Sequence, residues 1–98
     1  SIKTALDVGC GAGNFAQTIK NIYNCEVWGI EPDGTSALEA AKKIDKAINN
    51  IFTDNMPKLK GKKFDVIFFN DVLEHLANPD EALRICKDLF QYFKFAVV

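Results

Sequence analysis

The chain has 98 residues, 48% of them hydrophobic and 26% charged, with a formal net charge of -1. This is the composition of one globular domain with a thin core, and without a basic surplus to hold a phosphate backbone it argues against general nucleic-acid binding. No apolar run approaches the ~20 residues that span a bilayer, and the opening SIKTALD lacks the regions of a signal peptide, so no membrane contact and a cytoplasmic location are expected.

In chain order, Ala5 to Val8 is an apolar strand that runs into a turn with glycine at 9, 11 and 13. Glycines at alternate positions open torsions closed to other residues and remove the Cβ atoms that would hold a ligand off the main chain. A helix follows from about Asn14 to Tyr23. Phe15, Ile19 and Ile22 form its apolar stripe, with Ala16 and Tyr23 alongside. Glu26 to Ile30 is a second strand, stopped by Glu31-Pro32-Asp33-Gly34. Strand, turn, helix and strand make a βαβ unit with parallel strands. Thr35 or Ser36 is expected to cap the next helix, Ser36 and Glu39 having capping-box spacing, with Ala37, Leu38, Ala41 and Ile44 on its buried side.

Ile48 to Thr53 is a third strand candidate, weakened by Asn49 and Asn50. The polar segment Asp54 to Lys63 reads as a loop whose four lysines form a solvated surface. Phe64 to Phe69, FDVIFF, has the character of a central strand buried on both faces. Asn78 and Pro79 suit the cap and first position of a helix with Ala82, Leu83, Cys86, Leu89 and Phe90 on its stripe. Tyr92 to Val98 closes the chain as a fifth strand. Cys10, Cys25 and Cys86 are odd in number and lack CxxC spacing, which predicts reduced core residues and neither a disulfide framework nor a cysteine metal site.

The expected fold is therefore α/β, a mainly parallel sheet of about five strands layered with helices. Such sheets bind ligands beyond the carboxyl ends of their strands. The glycine turn, Glu31, Asp54, and Asn70 with Asp71 fall at those ends. Glu31 lies 18 residues past Gly13, near the ~20 at which an acid takes the ribose hydroxyls of a bound nucleoside; the plain alternative is a solvated acid before a proline turn. The turn reads G-x-G-x-G, one residue shorter than the dinucleotide fingerprint G-x-G-x-x-G, which counts against NAD or FAD.

LDVGCGAGNF, VWGIEPDG and FDVIFFNDVLEHLANPDEAL, in this order, resemble the motifs of class I S-adenosylmethionine-dependent methyltransferases. The resemblance implies a Rossmann-like three-layer sandwich that holds S-adenosylmethionine and transfers its methyl group directly to a small-molecule acceptor. By position it places Asp7, Gly9, Cys10, Gly11 and Gly13 along the methionine part, Glu31 and Pro32 at the ribose, Asp54 and Asn55 at the adenine edge, and Asn70 beside the sulfonium. Carboxylates at the strand ends suit a cofactor that carries a sulfonium and an ammonium but no phosphate.

Asp71, Glu74 and His75 have helical i, i+3, i+4 spacing. His75 is the candidate general base, since its ordinary pKa of ~6.5 lies near working pH. The three could also hold a divalent metal, as such runs do in some relatives, or merely line a pocket wall; no metal is expected. The family builds seven strands and a helix between strands three and four, whereas at most five strands and a short loop are expected here. A truncated core follows, whose last strand could pair two copies through Phe93 to Val98. A dinucleotide-dependent oxidoreductase and a non-catalytic S-adenosylmethionine-binding module are the alternative readings.

Overall fold

Ala5, Leu6 and Val8 leave no solvent-facing side on their strand, and all three are buried, so β1 (Thr4–Val8) forms the middle of the sheet. The computed structural model describes residues 2–53, 56–69, 80, 84, 87 and 96–97. On one side β1 pairs in parallel with β2 (Glu26–Ile30), which pairs with β3 (Lys46–Ile48). On the other it pairs with β4 (Val66–Phe69), and β4 with β5 (Ala96–Val97). The order is β3-β2-β1-β4-β5 with every pairing parallel, an α/β Rossmann-like sheet of five strands as expected.

Side chains alternate between the two faces of the sheet. Leu6, Val8, Ile30, Ile48, Phe64, Ile67 and Phe69 gather on one face with Met56 and Leu59. Ala5, Val27 and Val66 gather on the other with Cys10, Ala16, Ile19, Cys25, Ala40 and Ile44. Phe64 and Phe69 are fully buried, and removing either ring would cost about 3–5 kcal/mol. The start of β1 is pinned by a residue far along the chain: an Asp65 carboxylate oxygen accepts the Lys3 and Thr4 N–H groups at 2.7 and 3.1 Å.

Helix α1 (Asn14–Tyr23) has the expected bounds, but it packs through its first half only. Ala16 and Ile19 are buried and Phe15 meets Phe68 edge-on at 5.3 Å, whereas Ile22 is 68% and Tyr23 49% exposed. The stripe outruns its contact because the chain reverses at Asn24, in the left-handed conformation (φ 50°), to enter β2.

Helix α2 (Gly34–Ala41) is capped by Asp33 and not by Thr35 or Ser36: the Asp33 carboxylate accepts the Ser36 N–H at 3.0 Å, which holds its pKa below the ordinary value. Its buried side is Ala37 and Ala40, continued by Ile44; Leu38, 70% exposed, and Ala41 face outward. The helix turns its small side inward because Ala40 lies against Gly13, where a Cβ would stand 2.9 Å from the Ala40 Cα.

Strand β3 runs Lys46–Ile48 instead of Ile48 to Thr53. Ile48 is paired with Ile30, and the two asparagines then turn the chain, Asn50 Oδ1 accepting the Ile51 N–H at 2.8 Å. In the expected loop, Pro57–Leu59 forms a 3-10 turn that buries Leu59. Lys62 departs from the expected solvated surface: it pairs with Glu26 at 2.7 Å and lies 4.8 Å from the Trp28 ring centre. Lys46 approaches the same ring at 4.8 Å. Strand β4 is shorter than the expected Phe64 to Phe69. Asp80, Arg84 and Lys87 are helical and exposed, in line with a helix after Pro79, while the apolar stripe expected there, Cys86 included, lies outside the described residues. Among the described residues no helix is long and apolar enough to cross a membrane.

Candidate functional site

From β1 the chain moves outward to β2 and β3, then returns to the opposite side of β1 as β4. The crevice of such a sheet opens where the order reverses, beyond the carboxyl ends of β1 and β4. The glycine turn leaves β1 at that place. Gly9, Gly11 and Gly13 have φ of 77°, 56° and 91°, all in the region that disfavours side chains. The Gly9 and Cys10 N–H groups both donate to the Ile30 carbonyl, at 2.8 and 3.0 Å, so the turn is fastened to the end of β2. At Gly11 a Cβ would meet nothing within 4 Å; this is the part of the turn that faces open space. Gly13 instead serves the close approach of α2.

Glu31 follows directly on β2. One carboxylate oxygen accepts the Gly11 N–H at 2.8 Å and the other the Asp33 N–H at 2.9 Å. An ionised carboxylate offers about four lone-pair positions, so roughly two stay available to a ligand. Such an arrangement suits two adjacent hydroxyls.

Asp7 lies below the turn on β1, 1% exposed, and among the described residues neither of its carboxylate oxygens has a hydrogen-bond partner. Burial, and then the charge of Glu31, push its pKa from 3.8 up to about 7. A buried acid without a partner is costly in isolation and well placed for a cationic group entering from the crevice. Cys10 lies on the same face of the sheet, over Gly29, the partner of Asp7 in β2: its thiol is buried beneath the loop, where a Cβ on Gly29 would stand 2.5 Å from its sulfur. Burial first, then Asp7 and Glu31, push the Cys10 thiol up to about 12.

The sequence profile described as "Methyltransferase domain" matches residues 6–91. The chain belongs to the methyltransferase domain family. Over 99 residues it is 33% identical to the ubiquinone biosynthesis O-methyltransferase of Actinobacillus pleuropneumoniae serotype 5b (strain L20), covering 91% of this chain and 42% of that protein. The match thus spans well under half of the relative's length. Among solved structures, the plantazolicin methyltransferase BpumL in complex with a triazolic desmethylPZN analog and SAH superposes with a TM-score of 0.82 at 23% identity, over 93% of this chain and 36% of that one. A methyltransferase of Thermotoga maritima, described as SAM-dependent and possibly a histamine N-methyltransferase, gives 0.77 at 22% identity over 99% and 44%. At these identities the two structures establish the fold.

In this methyltransferase domain, Gly9, Gly11 and Glu31 stand together at the mouth of the crevice, with Asp7 buried beneath the turn. Pro32 is exposed beside Glu31, and the Cys10 and Gly13 positions face the protein. Asp54, Asn55, Asn70, Asp71, Glu74 and His75 lie outside the described residues. Two residues beside the site carry no motif in the sequence: Gly29, whose missing side chain seats Cys10, and Asn49, which by residue type alone only weakens a strand. The asparagine does leave a signal: a polar side chain next to a strand end that a proline turn must face.

Proposed function

We propose that this chain is the cofactor-binding core of an S-adenosylmethionine-dependent methyltransferase acting on a small-molecule acceptor, with residues 1–98 as one such unit. The observation that carries the reading is the Glu31 carboxylate, held on the Gly11 N–H with lone pairs to spare at the crevice. The residues fit the cofactor: Glu31 takes the ribose diol, the bare main chain near Gly11 lets the amino-acid part lie close, and Asp7 offers a counter-charge to its ammonium. A dinucleotide would instead bring its pyrophosphate over the buried acid of Asp7, at a turn one residue shorter than the dinucleotide fingerprint, which disfavours it.

When bound, S-adenosylmethionine supplies an electrophilic methyl group for direct displacement, so the chain's task is alignment more than covalent chemistry. Glu31 fixes the adenosine end, and Asp7, ionised by the incoming cation, fixes the other. The same reading puts Asp54 and Asn55 at the adenine and Asn70 near the sulfur, and gives His75 the acceptor proton; a kcat that His75→Gln leaves unchanged at every pH would remove that role. Oxygen is the acceptor atom favoured by the likeness to an O-methyltransferase. Association of two copies along Phe93 to Val98 completes the proposal, and a monomer in sedimentation velocity would discard that part.

Calorimetric titration with S-adenosylhomocysteine tests the cofactor reading, with NAD titrated in parallel. Saturable binding of the first, lost in Glu31→Ala and weakened in Gly11→Val, is the expected result. Binding of NAD alone overturns the reading.

A further inference from the structure

Strand pairing alone does little to hold the turn that carries Glu31. Regular pairing between β2 and β3 ends at Ile30 and Ile48. Beyond that the Glu31 N–H still donates to the Ile48 carbonyl at 2.9 Å, but Pro32 has no N–H to continue the ladder. Only carbonyl groups remain by which the end of β3 could grip the turn.

Asn49 supplies that grip. Its side-chain amide nitrogen donates to both the Glu31 and the Pro32 carbonyl oxygens, each at 2.9 Å. The orientation is fixed by chemistry, because a flipped amide would set its oxygen against two carbonyl oxygens. Glu31 is thus held at its N–H by Ile48, at its carbonyl by Asn49, and at its carboxylate by Gly11 and Asp33.

We propose that Asn49 is a positioning residue for the ribose end of the cofactor site: by bridging the Glu31 and Pro32 carbonyls it keeps the Glu31 carboxylate aimed at the sugar hydroxyls. It acts through Glu31 and touches no cofactor atom. The inference rests on Glu31 being the ribose acid, as proposed above.

The test compares S-adenosylhomocysteine with its 2′-deoxyribose counterpart, titrated into the full chain and its variants. The wild type is expected to prefer the ribose form about tenfold or more, the effect of one hydrogen bond to a charged group. In Asn49→Ala the preference falls to about twofold, and Asn49→Gln, which keeps the amide, restores part of it. Asn49 is exposed, so these changes leave the core intact, and Asn49→Ser is read in the same way should the alanine variant not fold. A variant that loses affinity for both ligands equally, with the ratio unchanged, assigns Asn49 a merely structural role and overturns the proposal. A wild type that binds both ligands equally overturns the role of Glu31 first, and one that binds neither overturns the cofactor reading; either result takes this inference with it.

Discussion

The Glu31 carboxylate accepts the Gly11 N–H at 2.8 Å, so the acid at the end of β2 and the glycine turn at the end of β1 form one unit. Replacing Glu31 by Gln keeps the size and removes the charge. Affinity for S-adenosylhomocysteine is expected to fall by about 10- to 100-fold, since hydrogen bonds to a charged group contribute about 1.5–3 kcal/mol. Calorimetry reads this directly, and an unchanged dissociation constant would exclude Glu31 from the site.

Asp7 predicts a pH dependence of both folding and binding. Its folded pKa of about 7 lies above the ordinary 3.8, so between these values the native chain holds a proton that the unfolded chain has released. Stability therefore falls as pH rises through this window, by on the order of a few kcal/mol, and levels off above pH 7. Asp7→Asn should remove that fall and be the more stable protein at pH 8 in urea titrations. A cationic ligand group favours the ionised acid, so S-adenosylhomocysteine affinity should rise from pH 6 to 8 with proton release on binding. In Asp7→Asn both the rise and the release should vanish, as titrations in buffers of different ionisation enthalpy would show.

Gly13→Ala and Gly11→Ala should separate packing from binding. At Gly13 (φ 91°) the new Cβ would lie 2.9 Å from the Ala40 Cα, and a loss of about 2–4 kcal/mol in stability is expected. At Gly11 (φ 56°) the space is open, so the cost is the backbone term of about 1 kcal/mol, and the larger effect falls on cofactor affinity. Urea midpoints and calorimetry on the same two variants make the comparison.

Gly29 and Cys10 should be coupled. A Cβ at position 29 would stand 2.5 Å from the Cys10 sulfur, so Gly29→Ala is expected to destabilise by about 1–3 kcal/mol. Cys10→Ala in the same chain should return part of it, a double-mutant coupling of about 0.5–2 kcal/mol. The buried Cys10 thiol, pushed up to about 12, should also resist alkylation at pH 8 until the protein unfolds. Mass spectrometry of iodoacetamide-treated native protein checks this.

What the sequence revealed was local in origin. The glycine turn, the bounds of α1 and β2, and the parallel sheet follow from short-range patterns: glycine spacing, a helical stripe, and a proline-aspartate stop. Local pattern misleads where a distant partner decides. β3 ends at Ile48 because Ile30 is its partner and Asn49 is needed by the next turn, though IFT looks more strand-like. Leu38 has the period of a buried residue, yet the contact between Gly13 and Ala40 sets which side of α2 turns inward. Lys62 reads as a surface charge until Trp28 and Glu26 are seen beside it. At the site, Glu31 was visible by its distance from the glycines, whereas the buried, unpaired state of Asp7 appears only in three dimensions.

The grip of Asp65 on the main chain at Lys3 and Thr4 joins residues 62 and 61 positions apart. Closing so long a segment is slow and entropically unfavourable, so the half that runs from β1 to β3 is expected to order early and β4 to dock late. The two walls of the crevice thus come from different stages of folding. A molecule lodged between them would favour the docked form by mass action, so occupancy should hold this seam shut.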